Sequence, residues 1–153
     1  MNTLNRPMLS LMIGGILTVA STFAVYAQSL DRSGDVKALG NCEGCIFDTQ
    51  DFSGRRLMGI NFASAELSNI VFEGAAMNIA IFDGASLRGV SFVGTNLSGA
   101  SFVGSRLIDV TFDGADLNGA VFEGAILERT DLQSARLCNT QTPGDIMDNS
   151  DCD

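Results

Sequence analysis

The chain has 153 residues, no histidine or tryptophan, and a formal charge of −9 from 18 acidic and 9 basic side chains. That length holds one domain. The missing imidazole removes the commonest general base and metal ligand, and the acidity argues against a binder that neutralises nucleic-acid phosphates. Ten Phe against one Tyr, and 17 Gly against 2 Pro, need a structural cause.

Residues 1–27 carry one charge, Arg6, then an apolar run from Leu9 to Ala24 that ends at Val25-Tyr26-Ala27. A basic start, an apolar middle and small residues at −3 and −1 are the pattern of a secretory signal, cleaved after Ala27. The competing reading is a retained anchor, because residues 7–30 are uncharged and long enough to cross about 30 Å of hydrocarbon. Gly14, Gly15, Thr18, Ser21 and Thr22 dilute that run and favour the signal. The first cysteine is Cys42, too far from the cleavage point for lipid attachment. Next, residues 33–40 read as a short helix, with Ser33 as N-cap and Gly40 as stop.

From Phe47 to Leu137 every fifth residue is Phe, Leu or Met, nineteen positions in succession with no insertion. Met58 is the one such residue out of register in that span, and nine of the ten phenylalanines lie in the series. A period of five fits neither a helix nor an alternating strand. From Ile60 onward a small or β-branched residue stands two positions before each large side chain, as at Ala65, Ala85 and Ala115; two residues after the large one stands glycine in eleven cases. Inward-pointing large and small residues followed by a free corner describe a chain that bends every five residues.

Segments such as Gly114-Ala115-Asp116-Leu117-Asn118 and Gly99-Ala100-Ser101-Phe102-Val103 resemble the pentapeptide-repeat family, over about 45–139. The resemblance implies an all-β, right-handed quadrilateral β-helix with twenty residues per coil. Residues 28–44 would then form an N-terminal cap and 140–153 a C-terminal cap, with Val36 and Leu39 of the short helix covering the first coil. Gln50 and Arg55 depart from the small-residue pattern, so the first coil should be less regular. In that fold Phe52, Phe72, Phe92 and Phe112 stack on one side, and Phe62, Phe82, Phe102 and Phe122 on the opposite side. Leu and Met fill the other two. Core filling accounts for these residues, each worth about 1.5–3 kcal/mol when fully buried.

Four cysteines in an exported chain point to disulfides, and four allow three connectivities. With this fold implied, Cys42 and Cys45 lie just before the first coil and Cys138 and Cys152 beyond the last. At about 4.8 Å per coil the ends are roughly 20 Å apart, whereas bonded cysteines keep their Cα atoms within about 7 Å. We therefore expect Cys42–Cys45 and Cys138–Cys152. A redox-active dithiol at Cys42-Glu43-Gly44-Cys45 is the alternative, although the βαβ context of thioredoxin-like chemistry is missing.

Outward positions on the Phe52 side include Asp51, Glu73, Asp113 and Asp131 with Val71 and Val93; the Phe62 side carries Asp83 and Glu123 with Ile81, Val103 and Val121. Arg88, Arg106 and Arg129 keep to the Leu67 side, mixed with Glu66, Asp109 and Glu128. β-Branched residues are ordinary on solvated strands. The sharper reading is a binding or self-association patch at Ile81, Val103 and Val121, flanked by Asp83 and Glu123. No nucleophile–base pair or metal-spaced cluster is visible, so we expect no catalytic residue, cofactor or metal. The expected role is an exported, periplasmic or secreted scaffold that binds protein, with no nucleic acid and, after signal cleavage, no membrane. The resemblance also raises a DNA-mimic reading of the gyrase-protecting type, which acidic faces suit and the export signal opposes.

Overall fold

The computed structural model describes residues 40–152. Residues 1–27 and nearly all of the short helix expected over 33–40 lie outside them; no helix occurs among the described residues. The described chain winds into a four-sided parallel β-solenoid with a twenty-residue register. One side is a five-stranded sheet, β1 (Ile46–Asp48), β2 (Glu66–Ser68), β3 (Ser86–Arg88), β4 (Arg106–Ile108) and β5 (Ile126–Glu128), paired in that order. Phe47, Leu67, Leu87, Leu107 and Leu127 are in register down its centre. The other three sides are narrower, each a column of single parallel bridges such as Asp51↔Val71↔Ser91↔Thr111↔Asp131.

The corners explain that inequality. On the three narrow sides the large residue accepts a hydrogen bond from the amide three positions on, as Phe72 does from Ala75 at 2.9 Å. This closes a tight turn around Gly74, whose φ is +64°. Such a turn leaves room inside for a small residue, commonly Ala. On the strand side the corner is a bend without that bond. Its inward residues are Ile70, Val90, Val110 and Thr130, larger than those at most tight corners. β-Branched side chains both favour the extended backbone and fill the wider corner.

Inside, the two Phe columns stack lengthwise and also meet. Phe82 and Phe102 have ring centroids 4.8 Å apart at 5°, and Phe102 and Phe122 lie 4.7 Å apart at 1°. Across the core Phe92 meets Phe102 edge-to-face at 6.1 Å and 83°, and Phe112 meets Phe122 at 6.0 Å and 88°. Phe82, Phe92, Phe102, Phe112 and Phe122 thus each have stacked and T-shaped neighbours, both favourable for the aromatic quadrupole. The few buried hydroxyls are bonded: Thr95 donates to the Phe72 carbonyl at 2.7 Å, Ser105 to Phe102 at 2.7 Å and Thr140 to Leu117 at 2.8 Å.

Both ends differ from the sequence expectation. The ladder starts at Asn41, which bridges Asn61, and the Cys42 amide donates to the Asn61 carbonyl at 2.7 Å. Cys42 and Cys45 therefore belong to the first coil instead of preceding it, with Cys42 in the Phe column beneath Phe62. At the other end the ladder runs to Gln141, which bridges Val121. The tail beyond is a hairpin, with β6 (Thr140–Gln141) antiparallel to β7 (Met147–Asp148). Two residues per strand suffice because Asp151 also bonds Leu137 in both directions, each at 2.9 Å.

One corner is strained. Ile79 has φ +55° and is 55% exposed, in a column otherwise made of Gly59, Gly99, Gly119 and Asn139. A β-branched residue in the left-handed region costs roughly 1–2 kcal/mol. Ile79→Asn should therefore raise unfolding stability by about 1 kcal/mol, measured by urea titration; a loss of stability would contradict the strain.

Candidate interaction faces

The structure gathers Ile81, Val103, Val121, Asp83 and Glu123 on one side, outside the column formed by Cys42, Phe62, Phe82, Phe102 and Phe122. They fall in two adjacent outward columns. One reads Asn41, Asn61, Ile81, Ser101, Val121, Gln141, joined by successive bridges. The other reads Glu43, Ala63, Asp83, Val103, Glu123, Pro143. Each coil rise thus exchanges apolar for polar along both columns over the central coils. Ile81 and Val103 are each 37% exposed, and Val121 is half-buried. Asp83 is tied into the face, accepting from the Ser101 hydroxyl and from the Val103 amide at 3.1 Å. The patch is a checkered, preformed surface, not one continuous apolar area.

The opposite side uses its carboxylates in the same local way. Asp51 accepts from the Ser53 amide at 2.8 Å, Glu73 from the Ser91 hydroxyl at 3.1 Å, and Asp131 from the Gln133 amide at 2.9 Å. The strand side carries the ion pairs. Arg129 clamps Asp109 through Nε at 2.5 Å and Nη2 at 2.7 Å, and Arg106 meets Glu128. Asp109 and Arg129 are twenty residues apart and both left-handed, at φ +53° and +48°, so the coil register places their side chains together. Both pairs are exposed and add little stability.

The resolved ionisation shifts all deepen the charged state. Hydrogen bonds from Ser53 hold Asp51 below the ordinary carboxylate value, and those from Ser150 do so for Asp148. Asp109 is lowered first by the Arg129 hydrogen bonds, and the same contact raises Arg129. A carboxylate pushed further from neutrality serves a turn or an ion pair; it is poorly placed to move protons at neutral pH. Among the described residues no group of His, Cys, Asp and Glu is placed to hold a metal ion.

The disulfides pair Cys42 with Cys45 at a Cα separation of 5.2 Å and Cys138 with Cys152 at 4.8 Å. The first spans a tight turn closed by the Cys45 amide and the Cys42 carbonyl at 3.1 Å. Reactive dithiols draw thiolate stability from a helix N-terminus or a nearby cation; here the charge within the turn is Glu43, and Cys42 is buried. The geometry is that of a clip on the first coil.

Sequence reasoning missed a second exposed apolar pair, Met58 and Ile79, at 45% and 55% exposure. The signal was present: Met58 breaks the five-residue register, and Ile79 occupies a glycine column. It also missed Ile126, Ile146 and Met147 at the C-terminal end, all at least half exposed.

The sequence model of pentapeptide repeats matches residues 56–92, 80–119 and 105–140, with eight copies. The chain belongs to the pentapeptide-repeat family. No curated protein matches it significantly. Among solved structures it is similar to HetL, a pentapeptide repeat protein involved in heterocyst differentiation regulation from the cyanobacterium Nostoc sp. Strain PCC 7120. That match has 22% identity over 72% of this chain and 52% of HetL, with a TM-score of 0.43. Rfr23 from the cyanobacterium Cyanothece 51142 matches at 21% identity over 69% of this chain and 87% of its own, with a TM-score of 0.37. QnrB1, a plasmid-mediated fluoroquinolone resistance protein, matches at 20% identity over 64% of this chain and 65% of its own, with a TM-score of 0.30. The chain thus spans about half the length of HetL.

The Asp109 shift has a defined sign. A folded-state pKa below the unfolded value means the contribution to stability is complete above about pH 3.9 and is lost as pH falls through the lower folded value. The Asp109 carboxyl carbon, followed by NMR, should titrate below about 3.9, and Arg129→Gln should return it towards that value. Equal midpoints in the two proteins would remove the assigned cause.

Proposed function

We propose that this protein is an exported, non-enzymatic scaffold that binds protein partners in the periplasm or outside the cell. The supporting observation is the preformed side bearing Ile81, Val103 and Val121 beside Asp83 and Glu123. Its backbone is held by the coil ladder, so presenting it requires no ordering at the moment of binding. Partly exposed apolar side chains supply contact area, and the interspersed carboxylates supply orientation and exclude acidic partners. The same flat side can also serve self-association. Chemistry needing a poised base or a metal finds little support in Asp51, Asp83, Asp109 and Asp148, which are committed to turns, the face and an ion pair.

Two measurements test the reading. Val103→Asp with Val121→Asp should lower partner capture from the native envelope fraction, or self-association, about tenfold, equivalent to about 1.4 kcal/mol. Circular dichroism should stay unchanged, and unaltered capture would remove this face. Separately, the native protein should begin at Gln28; an N-terminus retaining the apolar run would replace export as a free protein by anchoring.

A further inference from the structure

The tail beyond the last coil keeps the repeat register that its conformation abandons. Ile146-Met147-Asp148 stands twenty residues after Ile126-Leu127-Glu128, the edge strand β5. Met147 continues the large-residue series, and Asn149 falls in the left-handed column of Thr49, Asn69, Asp109 and Arg129. Met147 and Asp148 instead pair with β6. Among the described residues, this diversion leaves β5 paired on one side only, with β4. In the lower coils Asn69 donates to the Arg88 carbonyl at 2.8 Å, Gly89 to Ile108 at 2.9 Å and Asp109 to Glu128 at 3.0 Å. Arg129 is the next donor, and its acceptor would be the Asp148 carbonyl, which the hairpin holds elsewhere. Ile126 is 54% exposed, and Leu127 is half-buried where Leu67, Leu87 and Leu107 are fully buried. The displaced strand is exposed too, Ile146 at 68% and Met147 at 50%.

We infer that the free edge of β5 is a strand-docking site whose occupant is the chain's own Ile146-Met147-Asp148 segment, held away by the Cys138–Cys152 disulfide. In a sixth coil, position 152 lies six residues short of the position above Cys138. A corner and one coil rise of about 4.8 Å separate them, beyond the roughly 7 Å a disulfide spans. The disulfide and a sixth coil continued through position 152 exclude each other, so the bond disfavours the sixth strand. A dithiol reductant supplies two electrons and two protons, leaves as its own disulfide, and converts Cys138 and Cys152 to thiols. The tail then exchanges its hairpin and the Asp151–Leu137 bonds for the β5 edge. Met147 covers Leu127, Ile146 stacks on Ile126, and the Arg129 and Ile146 amides gain carbonyl partners. Asp145 takes an inward corner that Ala65, Ala85 and Ala125 fill in lower coils. On the outermost coil its carboxylate stays in contact with water, so this substitution limits growth to one strand.

The test uses the full chain carrying Cys138→Ser and Cys152→Ser, which preserves Cys42–Cys45. Amide exchange followed by NMR should slow at least tenfold at Arg129 and Ile146 relative to the oxidised native protein, and Met147 methyl protons should show contacts to Leu127. Adding Met147→Asp should restore fast exchange. Native protein reduced with dithiothreitol gives the same reading should the double variant fold poorly. Unchanged or faster exchange at Arg129 and Ile146, without the Met147–Leu127 contact, overturns the proposal. Slowing that grows with protein concentration also overturns it, since a second copy would then supply the strand.

Discussion

The left-handed residue at every fifth position is the constraint on which the rest of this molecule depends. From Gly44 to Asn139 all such positions except Ser134 have positive φ. That turn resets the chain direction after five residues, so four turns bring the backbone back above itself and twenty-residue pairing follows. The exception shows the dependence. Gly94 and Gly104 donate nineteen residues ahead, to Asp113 and Glu123, whereas Gly114 reaches Ser134, twenty ahead. Where the left-handed corner lapses, the ladder slips by one residue, and it recovers when Leu117 bonds Arg136.

A closed path this narrow decides what can stand inside it. Four large side chains meet in each interior layer, and from Phe82 onward the two Phe columns touch edge-to-face, with Ala or Ser at most of the tight corners. Stacking along each column then repeats at the coil rise. Parallel ladders have ends, and open ends template further pairing. The two disulfides act there: Cys42–Cys45 braces a corner of the first coil, and Cys138–Cys152 ties the tail back across the last. The second clip also selects between two uses of the tail, a hairpin or a sixth strand.

With interior and corners committed, the outward positions flanking each large residue are the ones free to carry function, which resides in sites and not in the fold itself. Here they form long columns rather than a cleft. Recognition by such a surface comes from spacing and sign: acidic and apolar groups on the two Phe sides, and paired opposite charges on the strand side. Asp51, Glu73, Asp83 and Asp131 are bonded to neighbouring hydroxyls and amides, so they present directional acceptors as well as charge.

The architecture was legible because the five-residue series from Phe47 to Leu137 is a local pattern that reports corner geometry and inward direction together. Membership of the core, the stacking of Phe by twenty and the assignment of Ile81, Asp83, Val103, Val121 and Glu123 to one side all follow from counting. Cysteine pairing followed once a coil rise could be compared with disulfide reach. The wide strand side was less visible, although Ile70, Val90 and Val110 mark it, because β-branched residues also occur at Ile60 and Thr95. The course of the tail was not legible. Gly144, Met147 and Asn149 keep the repeat spacing, and the choice between hairpin and coil depends on the tail meeting Leu137, Asn139 and Cys138 in space. Local sequence therefore determined the coil, its core and its sides. The tertiary structure decided where the coil stops and which edge it leaves open, because termination is set by competition among distant partners for the same backbone groups.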